Sequence, residues 1–162
     1  MSPVHPDILA ALTAGIQAEV AAYVFYKEAS KHFNQKDIKE VLERLAGDEK
    51  NHFNFLERQY DSLVRSEKWI STADIMKQKG LPEIGEDMTA RHRETIDRVK
   101  KAKGKRQILD IALEFENEAR DLYTAASMQS ESKEAKQTFD ALAKFEEGHV
   151  RIISELIDQL DD

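Results

Sequence analysis

The sequence has no cysteine, three prolines and six glycines in 162 residues. Without a thiol there is no disulfide, no thiolate metal site and no thiol nucleophile. So little Pro and Gly leaves little punctuation for a many-stranded sheet, whereas Ala, Glu, Lys, Leu and Gln are plentiful and favour long helices. Positive charge is also short: 24 Lys and Arg against 31 Asp and Glu give a formal charge of −7. That balance argues against a general surface for nucleic acid or anionic membrane. The N-terminal "MSPVHPDILAALTAGIQAE" has no basic segment ahead of its apolar part, and the uncharged run from Ile8 to Ala18 is too short to cross a bilayer. The expectation is an all-α protein of the cytoplasm, residues 1–162 forming a single domain large enough to bury a core.

What is present is helical periodicity in four long stretches. The first runs from Asp7 to about Lys31, just after Pro6, with Leu9, Leu12, Ile16, Tyr23 and Tyr26 along one stripe. The second runs from about Gln35 to Ser66 through Ile38, Leu42, Leu45, Phe53, Leu56 and Tyr60, with Asn34 as its expected N-cap. A third from about Lys105 to Ser127 and a fourth from about Ser132 to Leu160 make another close pair. Short links make each pair an antiparallel hairpin, over 7–66 and 105–160. Residues 67–104 form a long crossover holding the loop signature "KGLPEIGED" and shorter helical patterns at Thr72–Lys79 and Met88–Lys101. Trp69 is expected to anchor it to the bundle.

The two hairpins repeat. An offset of 97 carries Glu19 to Glu116, Tyr26 to Tyr123, Leu42 to Phe139, Leu45 to Leu142, Glu49 to Glu146, His52 to His149 and Leu56 to Ile153. Two copies of one hairpin pack about an approximate two-fold axis.

The repeat places charge where apolar residues belong. Each helix carries one carboxylate in the middle of its seam: Glu19, Glu49, Glu116 and Glu146. Two add a histidine three residues on, His52 in "GDEKNHFNFL" and His149 in "KFEEGHVRII". The latter segment is otherwise expected to bury Phe145, Ile152 and Ile153. An unpaired carboxylate taken out of water costs several kcal/mol. Four would threaten a domain whose net stability is only about 5–15 kcal/mol. Two divalent cations resolve the conflict, since four Glu balance their charge and two imidazoles complete the donor set. Chance alone gives roughly 0.6 Glu-x-x-His matches for 18 Glu and five His, so the spacing is weak evidence by itself. The shared phase and offset of all six residues are what carry it. Oxygen-rich donors with imidazole and no sulfur favour iron, with manganese or zinc as possible substitutes.

The segments "IQAEVAAYVFY", "AGDEKNHF", "LEFENEARDLY" and "AKFEEGHV" resemble, in order and spacing, the four helices of the ferritin-like di-iron carboxylate proteins, and within them the rubrerythrins. The resemblance implies a ferritin-like four-helix bundle holding two Fe ions. It implies terminal ligands at Glu19 and Glu116, bridging ligands at Glu49 and Glu146, and one nitrogen ligand per metal at His52 and His149. Tyr26 and Tyr123 would hydrogen-bond to ligand carboxylates. The implied activity is oxidation of Fe(II) with reduction of hydrogen peroxide or O₂, in oxidative-stress defence. Non-catalytic iron binding or storage is the alternative. Rubrerythrins usually carry a further Glu one turn beyond the third-helix ligand, where this chain has Ala119. They often carry a four-cysteine rubredoxin domain as well, so any electron donor here would be separate, rubredoxin-like or a flavoprotein. A homodimer without nucleic-acid or membrane partners is expected.

Other residues have bland readings. Tyr23, one turn from Glu19, lines the site or packs beside it, packing being favoured. Arg120, its counterpart, pairs with a ligand carboxylate, holds an anionic substrate, or reaches an outward acid. His5, His32 and His92 have no seam carboxylate at the right spacing and are read as surface residues. "RHRETIDRVKKAKGKR" has eight Lys or Arg against two acids but no interleaved aromatics, which favours a solvated face of the crossover.

Overall fold

The fold was obtained as a computed structural model, which describes residues 6–66, 69 and 92–161. Five helices and no strand occur among the described residues: α1 (Pro6–Ser30), α2 (Lys36–Ser66), α3 (Arg93–Lys101), α4 (Lys105–Gln129) and α5 (Lys133–Asp161). The helical patterns set out above match α1, α2, α4 and α5 to within two residues at either end. The patterns at Thr72–Lys79 and at the start of Met88–Lys101, with "KGLPEIGED" and His5, lie outside the described residues. The cap of α2 differs from expectation. The carbonyl of Gln35, not Asn34, accepts the first helical bond, from Lys39 N at 3.0 Å. Ser132 caps α5 fully: its Oγ accepts from Ala135 N at 3.0 Å and its carbonyl from Lys136 N at 3.1 Å.

The short links 31–35 and 130–132 fold α1 onto α2 and α4 onto α5, and these two pairs make the most extensive helix contacts. The pairs join chiefly through α1 against α4, and less closely through α2 against α5. Two apolar clusters fill the bundle, one towards each end. The first includes Phe25, Tyr26, Phe33, Leu42, Leu45, Leu109 and Ile153. The second includes Leu12, Leu56, Leu63, Tyr123, Phe139 and Leu142. Trp69 does anchor the crossover to the bundle, its ring meeting Phe139 edge-on at 6.3 Å.

The helix α3 explains why α1 is buried on more than its predicted stripe. Val99 of α3 joins the first cluster, and Ile96 packs against Val20, Val24 and Phe53. This added cover buries Val20 and Val24, which a single seam leaves out; Phe25 is buried against Phe115 of α4, and Tyr23 stays only partly buried. By length and composition α1 could cross a membrane. Here it is packed between its neighbours and carries the buried Glu19. The basic stretch is partly paired: Arg98 with Glu114, Arg106 with Asp110, and Lys105 Nζ 5.9 Å above the Phe33 ring. Gly104 makes the turn between α3 and α4 at φ +107°, a conformation that side chains disfavour.

Phe145 departs from expectation. It is 53% exposed, whereas Ile153 is fully buried and Ile152 partly so. Position 145 directly precedes Glu146, and one residue is about 100° around a helix, so the seam that takes Glu146 inward turns Phe145 to its rim.

Gly15 leaves room on α1 for side chains of α4 and α2. A Cβ there would stand 3.0 Å from the Tyr123 ring and 3.1 Å from both its hydroxyl and Leu56. Gly47, in the exposed middle of α2, has nothing within 4 Å of such an atom. Chemical denaturation should therefore show Gly15→Ala destabilised by about 1–3 kcal/mol through overpacking, and Gly47→Ala stabilised by about 0.4–1 kcal/mol. Equal effects would mean that α1 and α4 do not approach as described.

Candidate metal centre

Between the two apolar clusters lies a polar layer. Glu19 on α1, Glu49 and His52 on α2, Glu116 on α4, and Glu146 and His149 on α5 are all buried and converge there. All six seam residues singled out from the sequence thus come together. Their donor atoms form two overlapping groups, Glu19, Glu49, His52 and Glu146, and Glu49, Glu116, Glu146 and His149, each with its atoms within 4.8 Å of one another. Glu49 and Glu146 belong to both.

The polar contacts obey the repeat. Tyr26 donates to Glu116 Oε1 at 2.5 Å, and Tyr123 donates to Glu19 Oε1 at 2.6 Å. Crossed pairing of this kind shows that α1 and α4 run antiparallel. Likewise His52 Nδ1 lies 3.1 Å from Glu146 Oε1, and His149 Nδ1 lies 2.9 Å from Glu49 Oε1, so α2 and α5 are antiparallel. Exchanging the two halves carries each contact into its partner. The tyrosines bind as the resemblance implies, and each reaches the carboxylate of the opposite hairpin. Both imidazoles aim Nδ1 into the layer and stack 5.8 Å apart.

The layer is electrostatically incomplete. Burial first, then neighbouring carboxylates, pushes the carboxyls of Glu19 and Glu116 up to about 8 and raises that of Glu49. Burial lowers the basicity of His52, but Glu19, Glu146 and Glu49 outweigh it and hold the imidazole well above its ordinary value. His149 is raised in the same way against its own desolvation, by Asp48, Glu116, Glu146 and Glu49. Burial, with Glu116 beside one and Glu19 beside the other, keeps the hydroxyls of Tyr26 and Tyr123 well above 10, so both remain donors. Glu19 Oε2 and Glu146 Oε2 are buried without a hydrogen-bond partner, although an imidazole Nδ1 stands 3.5 Å from the first and 3.4 Å from the second. Such orphaned oxygens call for a further positive partner. Four carboxylates, two of them shared between the groups, and two inward imidazole nitrogens fit a pair of cations.

The remaining candidates fall outside the layer. Arg120 turns to Asp121, with Nη2 at 3.1 Å, which supports the outward-acid reading over a bond to a ligand carboxylate. His32 pairs with Glu28 at 3.5 Å. His92 is partly buried beside the start of α3. Ala119, one turn beyond Glu116, is buried in the second apolar cluster. Sequence reasoning missed Asp48, whose Oδ2 lies 3.2 Å from His149 Nε2. An acid beside a seam residue is common on any helix surface, and only the fold shows that this one reaches across to α5.

The family model for rubrerythrin matches residues 10–103. The chain belongs to the rubrerythrin family. The matched part of this rubrerythrin-family chain contains Glu19, Glu49 and His52, and the internal repeat extends the pattern to Glu116, Glu146 and His149. The solved structure of a hypothetical protein from Pyrococcus furiosus is similar over 94% of this chain and 89% of that chain, at 19% identity and a TM-score of 0.68. That likeness concerns the fold. Searching curated proteins gives no significant match.

The raised carboxyls have a consequence for the metal-free chain. Between 4.5, the ordinary value, and about 8, the folded state holds protons on Glu19 and Glu116 that the unfolded state releases. Stability therefore falls as pH rises through that window. The raised imidazoles act in the same sense, their contribution being complete below 6.5 and lost progressively as pH rises from there towards their raised values. After exhaustive chelation, the melting temperature should drop by roughly 5–10 °C between pH 5 and pH 8, equivalent to a few kcal/mol for a chain of this size. A flat or rising profile would contradict the buried-carboxylate account.

Proposed function

We propose that the six residues bind two metal ions, iron in the working protein, and that the chain is a di-iron oxidoreductase acting on hydrogen peroxide or O₂. The observation that supports this most is the pair of overlapping four-residue donor groups sharing Glu49 and Glu146. In this reading Glu49 and Glu146 would be shared by both ions, Glu19 and Glu116 would each serve one, and His52 and His149 would give one nitrogen each through Nδ1. When bound, a pair of ferrous ions supplies two electrons and concentrated positive charge, which favours reduction of an O–O bond. The donor set, four carboxylates and two imidazoles without sulfur, suits iron or manganese, and zinc can fill it.

The protein's own part is positioning. Tyr26 and Tyr123 fix one oxygen of Glu116 and of Glu19, and the second oxygen of Glu19 is left without a hydrogen-bond partner. Their hydroxyls stay protonated near neutral pH and so keep orienting Glu116 and Glu19. The apolar clusters on either side exclude water from the layer, which strengthens each charge interaction inside it. A separate electron donor would be needed for repeated turnover.

One observation favours a second reading, iron binding or storage without turnover. Ala119 puts a methyl group in an apolar cluster where rubrerythrins usually have another carboxylate. Sustained peroxide consumption with added reductant supports the oxidoreductase. A single stoichiometric oxidation supports storage.

Elemental analysis of the iron-loaded protein after desalting should give two ions per chain. Glu49→Ala and Glu146→Ala should lose more metal than Glu19→Ala or Glu116→Ala, because each removes a donor shared by both groups. Metal content that is low in the wild type, or unchanged in all four variants, would overturn the di-metal reading.

A further inference from the structure

The two halves of the centre match through the repeat at every inward residue, but not behind the imidazoles. The offset that relates His52 to His149 relates Asp48 to Phe145. Both members of that unequal pair occupy the same place: Asp48 stands behind His149, and Phe145 stands behind His52. Asp48 Oδ2 is 3.2 Å from His149 Nε2, and the Phe145 ring is 5.1 Å from that of His52. One imidazole is therefore backed by a carboxylate and the other by a half-exposed aromatic ring.

We propose that the two metal positions are unequal, the one served by His149 being retained tightly and the one served by His52 being exchangeable. The inference rests on the di-metal reading above. A carboxylate behind a ligating imidazole accepts the proton of the outer nitrogen, fixes the tautomer that presents a lone pair on the inner one, and raises the basicity of the ring. His149 has this arrangement: Nε2 faces Asp48 while Nδ1 faces Glu49, Glu116 and Glu146 at 2.9–3.4 Å. Phe145 has no acceptor to offer. His52 is held inward by Glu146, Glu19 and Glu49 at 3.1–3.6 Å, all through Nδ1.

Access follows the same asymmetry. A cleft of about 290 Å³ opens between α2 and α5, and its lining includes Asp48, His52, Phe55, Leu142 and the exposed Phe145, whereas His149 is absent from it. His52 lines the cleft directly, whereas His149 meets it through Asp48, whose carboxylate holds the outer nitrogen of that ring. Phe145 thus stands where an acceptor is missing and lines the cleft beside His52.

Calorimetric titration of the metal-free full-length protein with Co(II), under anaerobic conditions, tests this directly. The wild type should show two binding classes, and Asp48→Asn should weaken the tighter class by about 10–100-fold, the usual effect of losing a partner behind a metal-bound histidine. Phe145→Asp, which makes the halves alike, should tighten the weaker class. Phe145→Ala should speed chelator removal of the weaker-bound ion and leave the tighter one unchanged. Circular dichroism checks that each variant is folded, and if Asp48→Asn is not, Phe145→Asp alone decides. Two equal classes in the wild type, or a Phe145→Asp variant with an unaltered weaker class, would overturn the asymmetry and leave the di-metal reading standing. Absence of any Co(II) binding would remove that reading and the inference with it.

Discussion

Four carboxylates, each buried, share one layer, and the rest of the bundle is arranged around that constraint. Like charges at this depth repel one another and forfeit hydration, so the layer holds together only with compensating positive charge. Two imidazoles supply part of it, through Nδ1 atoms 2.9–3.1 Å from Glu49 and Glu146. Two tyrosine hydroxyls tie Glu19 and Glu116 across the hairpins. Each tyrosine belongs to a different apolar cluster. The packing of each end of the bundle thus fixes a carboxylate in the middle.

The same constraint explains the division of labour between packing and chemistry. The apolar clusters contribute burial and stability, while the polar layer costs stability unless it is neutralised. Proton uptake is one way to neutralise it and cations are another, and the two compete for the same oxygens. Orphaned oxygens on Glu19 and Glu146 mark where protein donors run out. A domain built solely for packing would gain by replacing these side chains with leucine.

Much of this was legible in the sequence because both signals were periodic. The four helices showed as apolar stripes, and the centre showed as six polar residues in phase with those stripes and related by one offset. That Tyr26 and Tyr123 hydrogen-bond to seam carboxylates came from the family resemblance; that each bond crosses to the opposite hairpin is seen only in the fold. What escaped was whatever depends on neighbours outside the seam. Val20 and Val24 are buried because α3 covers a second face of α1, which a one-stripe reading has no means of registering. Phe145 sits on the rim because the seam residue is Glu146. Asp48 and Gly15 matter through contacts with α5 and α4, made by chain distant in sequence. Arg120 stood on the seam by count alone, and its flexible side chain reaches the adjacent Asp121 instead.

The central claim is that the layer is a two-cation site, and anomalous diffraction from crystals of the iron-loaded protein tests it most directly. Data collected on either side of the iron absorption edge should give two peaks within the layer, both beside the carboxylates of Glu49 and Glu146, one near His52 Nδ1 and the other near His149 Nδ1. No peak there, or iron bound only at surface acids, would contradict the account.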